Sequence, residues 1–270
     1  MRGTPPGFSS IGQFYADFSQ ATDNEVVACL LAAAAPAARP QPAAADPPAR
    51  RGQPRNEEVA LAAGTAQLAG NLTVPDGAAE IVVFAHGSGS SRRSPRNQYV
   101  ARVLNQAGLG TLLFDLLTPG EELDRANVFD IGLLARRLIQ VTGWLRAQPR
   151  AARAAIGYFG ASTGAAAALW AAAEPGAGIA AVVSRGGRPD LARPQLGAVT
   201  AATLLIVGGN DEVVLDLNRQ AQALLRCENH LAVVPGATHL FKEPGTLEAA
   251  AALARDWFVS HIASSRHPVA

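Results

Sequence analysis

Past residue 56 the chain alternates short, unbroken apolar runs with longer stretches in which apolar residues recur every three or four positions. The runs are Ile81–Ala85, Thr111–Phe114, Ala155–Phe159, Ala181–Val183, Thr203–Val207 and Leu231–Val234. Continuous apolar runs of this length are what strands covered on both faces require. The first helical stretch carries its own punctuation: Ser94 to cap it, Pro95 for the first helical position and Gly108 for the exit. Val100, Val103, Leu104 and Ala107 fall on one of its faces. A second helix is expected from about Val128 to Gln148, stopping before Pro149. Others are expected near 163–173, 215–227 and 246–262. Ahead of all these, Val59–Ala63 and Gln67–Val74 read as a lead-in hairpin, followed by turn residues at Pro75-Asp-Gly77. Buried strands alternating with helices predict an α/β fold with a doubly wound, mostly parallel sheet flanked by helices on both faces. Sites in such sheets lie beyond the carboxyl ends of the strands, so the residues after each strand carry the functional reading.

The same pattern sets the expected boundaries: a tail over 1–56, a folded domain over 57–262 and a short tail over 263–270. Residues 32–56 are low-complexity Ala, Pro and Arg, with too few large apolar groups to offset the entropy of ordering them. Upstream, Glu25-Val-Val-Ala-Cys-Leu-Leu has the look of a signal-peptide core, and Val-Val-Ala-Cys29 of a lipoprotein box. The stretch sits deep in the chain, however, behind Asp17 and Asp23, where a signal would be basic. The expectation is a disordered tail with one short helix in a cytoplasmic protein, export being the weaker reading.

Composition narrows the function classes. A net charge of +1 argues against a nucleic-acid groove or an acidic-membrane binder. Two cysteines, Cys29 and Cys227, cannot build a disulfide scaffold or a cysteine-rich zinc site. No run of about 18 strongly apolar residues suggests a spanning helix. No cofactor or metal is expected. Of 23 Lys+Arg residues only Lys242 is lysine, a bias of GC-rich coding that lowers the weight of any arginine cluster.

The strand ends hold a consistent set. Gly160-Ala-Ser162-Thr-Gly164 follows one strand and opens an Ala-rich helix, the context in which G-x-S-x-G presents a nucleophilic serine. A serine hydroxyl needs a base. Among five histidines, His239 in Gly236-Ala-Thr-His follows the strand ending at Val234, whereas His230 precedes that strand and His261 and His267 lie in the final helix and tail. Asp211 in Gly208-Gly-Asn-Asp follows the strand ending at Val207 and would orient the imidazole, with Glu212 the nearest substitute. The chain order Ser, Asp, His is that of α/β-hydrolases. His86-Gly-Ser-Gly-Ser-Ser follows the first buried strand, where small residues let amides approach a ligand. The oxyanion donors expected are the amides of Ser88 and Thr163. The competing readings are a turn serine, a loop histidine, a helix-capping aspartate and a flexible glycine turn; strand-end placement of all four together weighs against them.

On the four motifs His86-Gly-Ser-Gly-Ser-Ser, Gly160-Ala-Ser-Thr-Gly, Gly208-Gly-Asn-Asp and Gly236-Ala-Thr-His, residues 57–262 resemble the dienelactone-hydrolase-like branch of the α/β-hydrolases. The resemblance implies a mixed sheet of about eight strands with one antiparallel lead-in strand. Dienelactone hydrolases proper use a cysteine nucleophile; Ser162 stands there here, which favours a serine esterase. Some relatives of this branch are joined to phosphoribosyltransferase domains, but no acidic pair leading into a Thr-Gly phosphate loop occurs in this chain. Few residues separate the strands at 181–183 and 203–207, so no large helical lid is expected, and an open site suits small esters or lactones. Arginines gather at the strand ends, Arg92, Arg93, Arg96, Arg185 and Arg188, and guanidinium suits an anionic group on a substrate. Arg92, Arg185 and His86 are the candidate substrate contacts, against a reading of the arginines as paired with Asp115 or Asp190. The function expected is hydrolysis of small carboxylic esters or lactones through an acyl-enzyme. Thioester cleavage, acyl transfer or a silent binding role on the same fold are the alternatives.

Overall fold

A computed structural model describes residues 55–264 of the 270-residue chain. The tail expected over 1–56, with its short helix and Cys29, falls almost wholly outside the described residues, as does most of the one over 263–270.

The described chain opens with a β-hairpin, β1 (Arg55–Ala63) and β2 (Ala66–Val74), paired in register from Arg55 opposite Val74 to Ala63 opposite Ala66. Gly64, at φ +62°, makes its tight tip. The alternation of strands and helices then runs as the apolar pattern implies: β3 (Glu80–Ala85), α1 (Pro95–Gln106), β4 (Gly110–Phe114), two short helices α2 (Pro119–Glu122) and α3 (Arg125–Phe129), and α4 (Ile131–Arg146). After these come β5 (Ala155–Ala161), α5 (Thr163–Ala172), β6 (Ile179–Arg185), a 3₁₀ stretch (Pro189–Ala198), β7 (Ala202–Gly208), α6 (Glu212–Gln222), β8 (Asn229–Val234) and α7 (Thr246–Ser264).

The eight strands form one sheet in the order β1-β2-β4-β3-β5-β6-β7-β8. Only β2 runs antiparallel to its neighbours, β1 and β4; β3 through β8 are parallel. From β3 the chain crosses to β4 on one side, then returns to β5 on the other. The strand order therefore reverses between β3 and β5, and a crevice opens at such a reversal beyond the strands' carboxyl ends.

Period-two alternation splits the core between the two faces of this sheet. On one face Ile156, Tyr158 and Val182 pack with Leu134, Leu138, Val141 and Leu145 of α4 and with the Ala166–Leu169 turn of α5. On the other, Phe84, Phe159 and Val183 pack with Val100 and Leu104 of α1 and with Ala254, Phe258 and Ile262 of α7.

Several boundaries differ from those expected, each for a local reason. Asp130 caps α4, its carboxylate accepting from the Leu133 amide at 2.9 Å, so the helix begins at Ile131 and the preceding residues form α2 and α3 instead. On α1, Asn97 and Ala101 share the buried face with Val100 and Leu104, while Ala107 is exposed. Ser94 stands at the cap of α1 without a side-chain bond. The 3₁₀ stretch, kinked at Ala192, is not legible as an element in the sequence; with its flanks it is the whole connection between β6 and β7, and no lid is built there.

Candidate active site

Ser162 sits where β5 turns into α5, at φ 51° and ψ −122°, a conformation in which few non-glycine residues are found. The turn is tight enough to dictate its glycines. A Cβ on Gly160 would lie 2.4 Å from the Ala165 Cα, and one on Gly164 2.2 Å from the Ala85 carbonyl oxygen. Helix α5 is thus pressed against the end of β3, which brings the two strands at the crevice together. Backbone bonds hold the serine in place: its amide donates to the Arg185 carbonyl at 3.3 Å, and its own carbonyl accepts from Arg188 at 3.1 Å.

Asp211 and His239 come together from the ends of β7 and β8. The imidazole Nδ1 lies 2.7 Å from Asp211 Oδ2. The aspartate side chain is 3% exposed and that of the histidine 34% exposed, so the acid is enclosed while the ring opens toward solvent. Because an ionised carboxylate only accepts, Nδ1 carries the proton and Nε2 is left as the basic nitrogen. The backbone fixes Asp211 twice, its amide donating to Gly208 O at 3.0 Å and its carbonyl accepting from Leu215 at 2.8 Å.

The loop bearing His239 is held by a clamp that sequence reasoning missed. Glu243 accepts from the Thr238 amide at 3.0 Å and from the Thr238 hydroxyl at 2.6 Å. Burial pushes the Glu243 carboxyl up, but the Thr238 hydrogen bonds outweigh it and hold the group below the usual carboxylate range. Phe241, buried and at φ 54°, completes the turn by donating its amide to Thr238 O at 3.2 Å. The one signal available was a glutamate four residues after the histidine, which has many ordinary explanations.

Ser162 and His239 both border the Arg185-Gly186 step at the end of β6. A Cβ on Gly186 would lie 3.1 Å from His239 O and 3.6 Å from its Nδ1, while the residue before it accepts the Ser162 amide. On the other side, a Cβ on Gly87 would lie 3.0 Å from that of Ser162, so the loop after β3 also abuts the serine. The Ser88 amide in that loop donates to Thr163 Oγ1 at 3.0 Å. Thr163 is the first residue of α5, where backbone N–H groups have no partner within the helix.

The remaining candidates are placed differently from one another. His86 was expected to contact substrate; it is buried instead, its Nε2 accepting from the Leu116 amide at 3.1 Å and its Nδ1 2.9 Å from Gly87 O. An amide donor at Nε2 puts the proton on Nδ1, and burial lowers the pKa against the raising effects of Gly87 and Asp115. The ring is therefore neutral and ties the end of β3 to the end of β4. Arg92, also expected at the substrate, is taken up by the protein: its guanidinium pairs with Asp115, with Glu58 at 3.2 Å and with Asn71 at 3.2 Å. Arg188 forms a two-point pair with Asp190 at 2.8 and 2.7 Å, and Arg93 is exposed. Arg185 alone of the substrate candidates is buried with side-chain donors left over, Nε and Nη1 having no hydrogen-bond partner. Among the described residues no three His, Cys, Asp or Glu converge as metal ligands, and no helix is long and apolar enough to cross a membrane.

Comparison with known proteins follows this geometry. No family model matches the chain. Proteins from two strains of Mycobacterium tuberculosis, provisionally named phosphoribosyl transferases, are 61% identical over 261 residues, 96% of this chain. The chain spans only 58% of the length of these curated relatives. A crystal structure of a dienelactone hydrolase from Anabaena variabilis is 54% identical with a TM-score of 0.76, covering 78% of this chain and 100% of that one. An α/β serine hydrolase without a lid from Xanthomonas campestris shares the fold at 20% identity and a TM-score of 0.61, over 76% of this chain and 94% of its own.

Proposed function

Because the chain belongs to the dienelactone-hydrolase-like branch of the α/β-hydrolases, we propose that it is a serine hydrolase that cleaves small carboxylic esters or lactones through Ser162, His239 and Asp211. The observation that carries the reading is the 2.7 Å contact between His239 Nδ1 and the buried Asp211 carboxylate. It leaves a basic Nε2 on a ring that borders the same β6 step as the strained serine.

In this reading Ser162 Oγ attacks the ester carbonyl as Nε2 of His239 takes its proton. Asp211 holds the tautomer and stabilises the imidazolium that forms. Charge develops on the carbonyl oxygen and is received by the amides of Thr163 and Ser88. In the resting arrangement the Ser88 amide is directed at Thr163 Oγ1, and an incoming oxygen would share that donor. A donor aimed at such an oxygen contributes roughly 10²–10³-fold in kcat. The proton then passes from His239 to the departing alkoxide. Water, activated by the same imidazole, cleaves the acyl-enzyme and restores Ser162. The lidless connection between β6 and β7 supports small, soluble substrates. The transferase name belongs to relatives that this chain covers over only 58% of their length, and no residue here is assigned to that activity.

Ser162→Ala tests the reading. Hydrolysis of a panel of short 4-nitrophenyl esters and γ-lactones should fall by about 10⁴-fold or more, and a fluorophosphonate probe should label the wild-type chain at Ser162 and leave the variant unlabelled. A wild-type chain that resists the probe and turns over none of the panel would return the fold to a binding role. Product analysis with a competing alcohol or thiol separates hydrolysis from acyl transfer.

A further inference from the structure

Helix α6 buries one stripe, Val214, Leu215, Asn218 and Ala221. Asparagine is out of place in such a stripe. Its amide competes for backbone groups in a helix interior, and a polar side chain without exposure is costly unless it is bonded. Asn218 is 0% exposed. Its Nδ2 donates to Val214 O, one turn back, at 2.8 Å and to Gly187 O at 3.0 Å, whereas its Oδ1 has no hydrogen-bond partner. Leucine would fill a similar volume without leaving a buried acceptor unpaired. Val214 O already receives a backbone donor within the helix. The bond to Gly187 is therefore the one that an apolar residue could not replace.

Gly187 is buried just past the last ladder pair of β6, Arg185 with Ile206. The chain folds back there so closely that a Cβ on Gly187 would lie 1.9 Å from Ser184 Oγ and 2.7 Å from the Ala165 Cβ of α5. The residues on either side grip the serine: Arg185 O accepts the Ser162 amide at 3.3 Å, and the Arg188 amide donates to Ser162 O at 3.1 Å. A serine backbone at φ 51° persists only where its surroundings over-determine it. One end of the grip is fixed by the Gly186 amide, which donates to Ile206 O of β7 at 2.8 Å. Asn218 fixes its middle. The same helix starts at the acid, with the Leu215 amide donating to Asp211 O at 2.8 Å. One rigid element thus carries both Asp211 and, about two turns on, the anchor of the serine turn.

We propose that Asn218 is a positioning residue: through the Gly187 carbonyl it holds the 185–188 segment and so sets Ser162 in register with Asp211 and His239. Gly186 of the same segment borders His239, so a shift of this segment would be felt by the base as well as by the serine. The effect on turnover rests on the hydrolase reading above; the effect on the backbone does not. Because Asn218 is enclosed and acts through the backbone, it governs turnover and leaves substrate affinity alone.

Two variants of the full chain test this. Asn218→Leu keeps the volume and removes both donors. Asn218→Ser keeps one donor, but a serine hydroxyl in a helix turns to the carbonyl one turn back, here that of Val214, and leaves Gly187 unbonded; it serves if the leucine variant fails to fold. In either variant, native-state hydrogen exchange should show the amides of Ser162 and Arg188 exchanging about tenfold faster or more, relative to those of β3, whose opening reports the whole fold. On a short neutral 4-nitrophenyl ester, kcat and the rate of fluorophosphonate labelling should both fall by about tenfold, with KM little changed. Unchanged protection of Ser162 and Arg188, exchange that quickens equally in β3, or an unchanged kcat beside quickened exchange each overturns the proposal. A wild-type chain that neither hydrolyses esters nor takes the probe sinks the hydrolase reading alone, and the exchange result then decides whether Asn218 holds the turn.

Discussion

At the scale of single residues, the site is governed by which polar groups already have partners. Arg92 and Arg188 cannot serve a ligand while carboxylates hold them, whereas Arg185, a similar residue by sequence, keeps open donors. Arg188 has its partner Asp190 two residues away, but nothing in the one-dimensional string separates Arg92 from Arg185, because the partners of Arg92, Asp115 and Glu58, come from other elements. Glu243 shows the converse. Two bonds to Thr238 place it beside His239, where it would act as a positioning residue in the proposed reaction. Glu243→Gln keeps an acceptor but loses the second, so kcat on a neutral ester should fall by roughly tenfold with KM little changed, read from steady-state kinetics. The pH dependence follows from the depressed carboxyl. Its folded pKa lies below its unfolded one, so its contribution to stability is present above the usual carboxylate range and is lost as pH falls through the lower, folded value. Thermal melts across that acid range should be flatter in Glu243→Gln than in wild type, and parallel curves would count against the clamp.

At the scale of elements, the serine turn and α5 behave as one unit. The G-x-S-x-G pattern was readable in part because the clash that dictates Gly160, against Ala165, lies within the turn itself; Gly164 is dictated by the end of β3, over which the helix passes. Gly164→Ala sets a Cβ 2.2 Å from the Ala85 carbonyl and should destabilise the fold by about 3 kcal/mol or more. Gly143→Ala is the contrasting case, an exposed position inside α4 with nothing within 4 Å of the new methyl. Helix propensity alone should then raise stability by about 0.5–1 kcal/mol. Denaturant titrations of the two variants should shift in opposite directions. Helix starts were less legible than helix existence. Asp130 has the residue type of a cap, but so have several neighbours, and only the chain path after β4 selects it.

At the scale of the whole molecule, strand order decides what meets. Ser162, Asp211 and His239 leave β5, β7 and β8, and the parallel arrangement puts all three on one edge of the sheet. Stability should follow the same order. Val82, Val83 and Tyr158 lie in central strands, essentially without exposure, while β8 is an edge strand whose Val233 is 43% exposed. Native-state hydrogen exchange should find amides of β3 and β5 opening only with global unfolding, and outward amides of β8 exchanging by smaller openings. Protection of β8 equal to that of β5 would mean that something covers this edge in solution.

The chain by itself determined its class and marked its candidate site: apolar runs of strand length between helical stretches, a serine in a G-x-S-x-G turn, and an aspartate and a histidine each placed just after a strand. Those are short-range properties, written in neighbouring residues. Tertiary structure alone decided that Arg185 is buried without a carboxylate while Arg92 is paired, that His86 is a neutral strut between two strands, and that Glu243 steadies the loop of His239. Each depends on groups far apart in sequence coming within hydrogen-bond distance, and hydrogen bonding and burial are properties of proximity that residue order does not encode.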